Sequence, residues 1–284
     1  MLPLIVVCLL SLAGVAASHA AHYRVYLLGG QSNANGRGDA AKLTGPLASP
    51  QKDVRFYWHR TQGSKNVGHL VEDAWIDLAP GSGHGSKKPV YAKEFGPEVA
   101  FGRAMADADP SVNIAIIKFS VGGSNLYKAW SAKGPLYATF KKTVQAGLAA
   151  LTSAGDTYEM GGMLWQQGEN DAVAAGADAY EANLIALVKR VRVDFFDGKT
   201  TPFVLGSLSD SQYGSKITTR GTPAYKVRKA QEAVAAKLPA VGIVKTDGFP
   251  VRPSDSIHLD HDAQISLGKG LAALMRELEA GVNR

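Results

Sequence analysis

The sequence predicts an α/β fold with a central, mostly parallel sheet of five strands. Three observations predict it. Five short apolar runs, rich in β-branched and aromatic residues, recur along the chain at residues 23–28, 113–120, 160–166, 202–208 and 241–246. Longer segments with helical spacing separate most of them, and strands alternating with helices build parallel sheets. Four of the runs lead into segments rich in glycine and polar side chains, and in an open α/β sheet ligands bind beyond the carboxyl ends of the strands.

The elements follow in order. Residues 23–28 form the first strand and end on Gly29-Gly30. Residues 35–94 then break the alternation, because a stretch of that length is too long for an ordinary connection. Its Gly, Pro and Ser content, with aromatic islands at Phe56-Tyr57-Trp58 and Trp75, reads as an excursion. It carries a small β-hairpin, with residues 54–58 as one strand, that forms part of a pocket wall. A helix at 95–108 has Pro97 near its start, where a missing N–H costs nothing. The strand at 113–120 and a helix at 136–151 follow. The strand at 160–166 precedes a helix at 177–196. The strand at 202–208 precedes a helix at 223–238 opened by Pro223, and the strand at 241–246 precedes a final helix at 263–278.

Composition bounds the function. The 284 residues suffice for one sizeable core, and one domain over residues 21–284 is expected. The net charge of +6 comes from 31 basic and 25 acidic residues, and the basic ones are scattered, with only short pairs such as Lys141-Lys142. That distribution gives no nucleic-acid patch. Residues 1–20 read as a signal peptide, since residues 2–17 are almost wholly apolar and Ser18-His19-Ala20 ends on small residues. The expected location is therefore secreted or periplasmic, with no membrane attachment after cleavage. The single cysteine, Cys8, falls inside that leader, which excludes disulfides, thiol catalysis and cysteine-based zinc sites from the remainder.

The chemistry lies after the strands. Gly29-Gly30-Gln31-Ser32-Asn33 places a serine in a glycine-bearing turn at the sheet edge. The spacing fits neither the phosphate-loop nor the dinucleotide fingerprint. A serine hydroxyl needs a base to become a nucleophile. Of the seven histidines, His258 follows the last strand and has Asp255 three residues before it, so one turn of chain brings a carboxylate beside the imidazole. Gly122 and Gly123 follow another strand, and their backbone N–H groups suit a developing oxyanion. Gln167 offers a side-chain amide to the same end; a buried polar bridge is the competing role.

Together these blocks resemble the SGNH-hydrolase superfamily, and more narrowly its sialate O-acetylesterase-like branch, carbohydrate esterase family 6. Gly30-Gln31-Ser32-Asn33, Gly122-Gly123-Ser124, Gln167-Gly168-Glu169-Asn170-Asp171 and Asp255-Ser256-Ile257-His258 stand in that family's order over nearly the whole chain after the leader. The resemblance implies a flavodoxin-like, three-layer α/β/α fold and hydrolysis of O-acetyl groups on carbohydrates, such as acetylated xylan or sialic acids, with no metal or organic cofactor. It implies Ser32 as nucleophile and His258 as base, and an oxyanion hole from Ser32, Gly122 or Gly123, and Gln167. Asp255 is the favoured triad acid, with Glu169 as rival or supporting fourth member. Gln31, Asn33, Asn125, Trp130 and Arg37 are candidates for holding the sugar, and the aromatic faces of Tyr127, Trp58 and Trp75 would suit it too, although core packing competes for each aromatic. The alternatives are a GDSL-type lipolytic esterase and a non-catalytic carbohydrate-binding protein on the same fold.

Overall fold

In the computed structural model, which describes residues 20–59, 73–83 and 93–282, the first strand, β1 (His22–Gly30), runs through the middle of a seven-stranded sheet. The other strands are β2 (Gln51–Trp58), β3 (Ile76–Leu78), β4 (Asn113–Ser120), β5 (Thr157–Gln166), β6 (Phe203–Gly206) and β7 (Val241–Val244). Their order is β3-β2-β4-β1-β5-β6-β7, and only β3 runs antiparallel to its neighbour. The expected leader, apart from Ala20, lies outside the described residues, as do residues 60–72 and 84–92 of the excursion.

Strand alternation builds two cores. Val25 and Leu27 of β1 face one side with Ile117, Phe119, Met163 and Trp165; Tyr26 and Leu28 face the other with Ile114, Ile116, Leu164 and Val204. A strand buried on both faces reads as a continuous apolar run, which is why these strands are visible in the sequence. Three helices, α3 (Pro135–Ser153), α4 (Tyr180–Phe195) and α5 (Pro223–Lys237), cover the first face. Two, α2 (Pro97–Ala108) and α6 (His261–Val282), cover the second. The result is a three-layer α/β/α arrangement.

The expected count of five strands is corrected to seven, and both additions come from the excursion. Residues 51–58 form one arm of the expected hairpin, but the hairpin belongs to the central sheet. They pair in parallel with β4, from Val54↔Ile114 to Trp58↔Lys118, and bury Val54, Phe56 and Trp58 in the core. Their hairpin partner, β3, closes that edge in antiparallel register, Phe56 opposite Ile76.

This topology has a switch point at β1. The chain leaves β1 toward the β2 edge, returns to β4 beside β1, then crosses to β5 on the other side. The crevice between diverging connections is where α/β sheets bind ligands. Gly30 is in register with Ser120 on one side and Gln166 on the other, so three motif blocks leave the sheet side by side. No helix among the described residues is long and apolar enough to cross a membrane.

Candidate active site

Ser32 opens a single helical turn, α1 (Ser32–Asn35), directly after β1. The turn out of the strand requires glycine at position 30. Its φ is +138°, and a Cβ there would lie 2.1 Å from the Gln166 carbonyl oxygen. Gln31 N–H donates to that same carbonyl at 3.0 Å, and Val121 N–H donates to the Gly30 carbonyl at 3.1 Å, so the turn is fastened to both neighbouring strand ends. Gly122 comes next to Ser32: a methyl group on it would sit 3.6 Å from Ser32 Cβ.

His258 arrives on the loop between β7 and α6. Asp255 organises that loop. Its Oδ1 accepts from the backbone N–H groups of Ile257 (3.0 Å) and His258 (2.9 Å), and its Oδ2 lies 2.9 Å from His258 Nδ1. An ionised carboxylate only accepts, so this pairing puts the ring proton on Nδ1 and leaves Nε2 as an acceptor. Burial raises the Asp255 carboxyl, but the His258 ring and the two backbone N–H groups outweigh it and hold the group below its ordinary value. Ser256, between them, takes φ +54°, a conformation that costs a non-glycine residue of the order of 1 kcal/mol or more.

Asn33 joins the two halves. It is fully buried, and its Oδ1 accepts from Leu259 N–H at 2.9 Å while its Nδ2 donates to Ile257 O at 3.3 Å. The residues on either side of His258 are thus tied to the residue after Ser32. Ser32 Oγ and the His258 ring make no direct hydrogen bond in this structure; hydrogen bonds between a nucleophile and its base commonly tighten only with substrate present. Asn33 Nδ2 also donates to Glu169 Oε1 at 2.5 Å, and Gln212 Nε2 reaches both Ile257 O (2.6 Å) and Glu169 Oε1 (3.3 Å). Glu169 therefore supports the histidine loop through Asn33 and Gln212, and the imidazole's own carboxylate partner is Asp255.

The third block ties down the second. Asp171 Oδ2 accepts from Leu126 N–H at 2.7 Å, and Asn170 Nδ2 donates to the Gly123 carbonyl at 2.7 Å. Burial pushes the Asp171 carboxyl up, against the lowering effect of its backbone and Gln167 donors. Among the described residues, no group of three His, Cys, Asp or Glu side chains is placed to hold a metal ion.

The family model described as carbohydrate esterase, sialic acid-specific acetylesterase, matches residues 22–277. The chain belongs to this family. It is 28% identical over 264 residues to a probable carbohydrate esterase of Arabidopsis thaliana, covering 88% of each chain. The solved structure of that Arabidopsis protein superposes with a TM-score of 0.66 at 23% identity, over 89% of this chain and 98% of the other. A carbohydrate acetylesterase from Xanthomonas citri gives 0.61 at 20% identity, over 91% of this chain and 56% of the other. NanS gives 0.66 at 16% identity, over 92% and 98%. At these identities the structural likenesses establish the shared fold.

Several residues of this carbohydrate esterase stand elsewhere than the sequence suggests. Gln167 is corrected from oxyanion donor to buried bridge. It has no exposed surface, and its Nε2 faces three acceptors, Asp171 Oδ2 (2.6 Å), Gln31 Oε1 (3.1 Å) and Ser124 O (3.1 Å). Its Oε1 accepts from Tyr180 OH at 3.0 Å. An amide with two N–H groups has nothing left for a substrate. Gln31 Oε1 is the other end of that bridge, and Asn33 is the clamp already described; both residues are buried. Trp130 is corrected from sugar platform to core. It is fully buried against Trp165, with centroids 5.0 Å apart, and its Nε1 donates to Ser124 Oγ. Trp58 is buried too, and Trp75 is fixed by its Nε1 donating to Gly147 O. Among these aromatics only Tyr127 presents a large exposed face. Asn125 accepts from Lys128 and Ala129 N–H and closes the turn after the second block. Arg37 pairs with Glu94 at 3.0 Å, and Arg252 from the histidine loop shares that carboxylate at 2.7 Å.

Gln212 is a contributor that the strand-end pattern misses, since it comes from a helical turn, Asp210–Tyr213. The signal present was the Ser209-x-x-Gln212 spacing of a capping box, which is formed.

Proposed function

We propose that this family member is a secreted serine esterase that removes O-acetyl groups from carbohydrates through an acetyl-serine intermediate. The observation that carries the reading is the Asn33 clamp, which ties the Asp255–His258 pair to the residue following Ser32 at the switch point of the sheet. Ser32 Oγ attacks the acetyl carbonyl carbon while His258 Nε2 takes the hydroxyl proton. The carbonyl electrons move onto oxygen, which faces the backbone N–H groups of Ser32 and Gly122. The electrons return, the bond to the sugar oxygen breaks, and His258 hands its proton to that oxygen. Water then attacks the acetyl-serine, giving its proton to His258, and acetate leaves as Ser32 recovers its proton. Asp255 holds the ring in the required tautomer and stabilises the imidazolium. The apolar leader at residues 1–20 supports export, and the family's description supports an acetylated sugar as substrate.

The test is acetate release from acetylated xylan and from O-acetyl sialic acid, with p-nitrophenyl acetate as a reporter. Wild-type protein should deacetylate at least one of the carbohydrates, and Ser32→Ala should abolish that. Full activity in Ser32→Ala, or ester hydrolysis confined to p-nitrophenyl acetate, would sink the reading.

A further inference from the structure

The interior holds an ion pair that the mechanism above does not use. Lys118 of β4 and Glu98 of α2 meet at 2.7 Å, each with 1% or less of its side-chain surface exposed. Burying such a pair is costly and adds little over apolar packing of the same volume, so stability does not account for it. We propose that the pair positions the nucleophile: Lys118, held by Glu98, anchors the helical turn that carries Ser32 and so fixes the Ser32 hydroxyl relative to His258. This rests on the serine-esterase reading above.

The turn cannot hold itself. α1 is four residues long, and a single turn has no helical stability of its own. Gly36 N–H already donates to Ser32 O at 3.0 Å, which leaves the Asn35 carbonyl, at the end of the turn, for a partner from elsewhere. Lys118 Nζ is that partner, at 2.8 Å. Two residues further along β4, Ser120 Oγ donates to Asn35 Oδ1. Residues two apart in a strand face the same way, so β4 grips one residue of the turn by both its main chain and its side chain.

Glu98 sets where the ammonium stands. Its Oε2 accepts from Lys118 Nζ, and its Oε1 accepts from Gly96 N–H at 3.0 Å, at the start of α2. That start lies directly against the turn. A Cβ on Gly96 would come 2.9 Å from Asn35 O and 3.0 Å from Ala34 O, and one on Gly36 would come 2.2 Å from Gly96 N. Sheet, helix and turn therefore meet at one ammonium group. Burial pulls that ammonium below its ordinary value, and Glu98 pulls it back up. Lys118 reaches Ser32 only through the turn, so it is a positioning residue. Letting the nucleophile drift by about 1 Å costs on the order of 10²-fold in turnover.

Variants that separate positioning from stability test this. Lys118→Met strands the Glu98 charge, whereas Lys118→Met combined with Glu98→Gln removes the pair and leaves no charge unpaired. Leu271→Ala, a deletion from the fully buried side of α6, is the control for destabilisation alone. Folding is checked by circular dichroism, and kcat and KM on p-nitrophenyl acetate are measured well below every melting temperature. In Lys118→Met, kcat should fall roughly 10²-fold, and in the double variant it should stay down although stability is partly regained. KM should change by less than about three-fold in both, and Leu271→Ala should keep kcat within about three-fold of wild type. Phosphonylation of Ser32 by an alkyl fluorophosphonate should slow in parallel with kcat. If Lys118→Met does not fold, the double variant carries the comparison. A folded double variant with kcat within about three-fold of wild type overturns the proposal. So does a kcat that simply follows melting temperature across all the variants, Leu271→Ala included, or a loss seen wholly in KM. These results leave the serine mechanism standing, since that is judged separately by Ser32→Ala.

Discussion

If the proposed mechanism holds, replacing Asn33 with alanine should disable the enzyme while leaving Ser32, His258 and Asp255 in place. Two bonds to the histidine loop and one to Glu169 would be lost. Leu259 is almost fully buried, so its N–H would be left without a partner, at about 1–3 kcal/mol. Glu169 Oε1 keeps Gln212 at 3.3 Å, so its loss is one charge-assisted bond, about 1–2 kcal/mol. The total is near 3 kcal/mol, which at roughly 2–4 °C per kcal/mol for a domain of this size lowers Tm by roughly 6–12 °C. Gln212 still holds Ile257 O, so the loop stays near its place, but the imidazole is no longer fixed relative to Ser32. A displacement of about 1 Å at a catalytic group costs on the order of 10²-fold in turnover. Thermal melts by circular dichroism and kcat on p-nitrophenyl acetate below the variant's Tm give both numbers. If Asn33→Ala melts within about 2 °C of wild type and retains kcat within about two-fold, Asn33 is not what joins the loop to the nucleophile.

Four further outcomes follow from the same structure. Trp130→Ala should cost about 3–5 kcal/mol as a core deletion, read as an earlier unfolding midpoint in urea, and leave KM for carbohydrate esters unchanged in the folded protein. Lys118→Met should cost about 3–5 kcal/mol by stranding Glu98 in the interior, and Lys118→Met combined with Glu98→Gln should recover part of that in the same assay. Gly30→Ala should destabilise by about 3 kcal/mol or more, or fail to express, because the methyl would clash with the Gln166 carbonyl in a left-handed conformation. Asp255 is held below its ordinary value of 3.8, so its contribution to stability is present above that value and is lost as pH falls through the lower folded one. The Tm gap between wild type and Asp255→Asn should therefore be full at neutral pH and close as the solution is acidified below about 4.

The parts of the site that sequence could reveal are those set by chain-local rules. Ser32, Gly122 and the 167–171 block were visible because each follows an apolar run that can only be a buried strand, and parallel strands put their carboxyl ends together. The Asp255–His258 contact was visible because three residues of separation suffice to bring those side chains side by side. What stayed hidden depends on where a side chain turns after the backbone is placed. Gln167 has the right residue type for an oxyanion donor, but Asp171, Gln31 and Tyr180 draw its amide into the interior. Trp130 could stack on a sugar or on Trp165, and only the packing of α3 and α4 over that face decides. The strand within 51–58 is legible from Val54 to Trp58, but its place in the central sheet is not, because Lys52 and Asp53 dilute its apolar signal and its parallel pairing with β4 is a long-range contact across more than fifty residues. Gln212 reaches the histidine loop from a helical turn whose local sequence speaks only of its own cap.

The most direct measurement is the site of covalent labelling by an alkyl fluorophosphonate, which phosphonylates a serine only where a base and an oxyanion site are assembled around it. Mass spectrometry of the digested wild-type protein should find a single adduct on the peptide containing Ser32, with loss of acetate release in proportion to labelling. Ser32→Ala should take up no label, and His258→Ala should label far more slowly. Inactivation with the adduct on another residue and Ser32 unmodified would contradict the assignment of nucleophile and base alike.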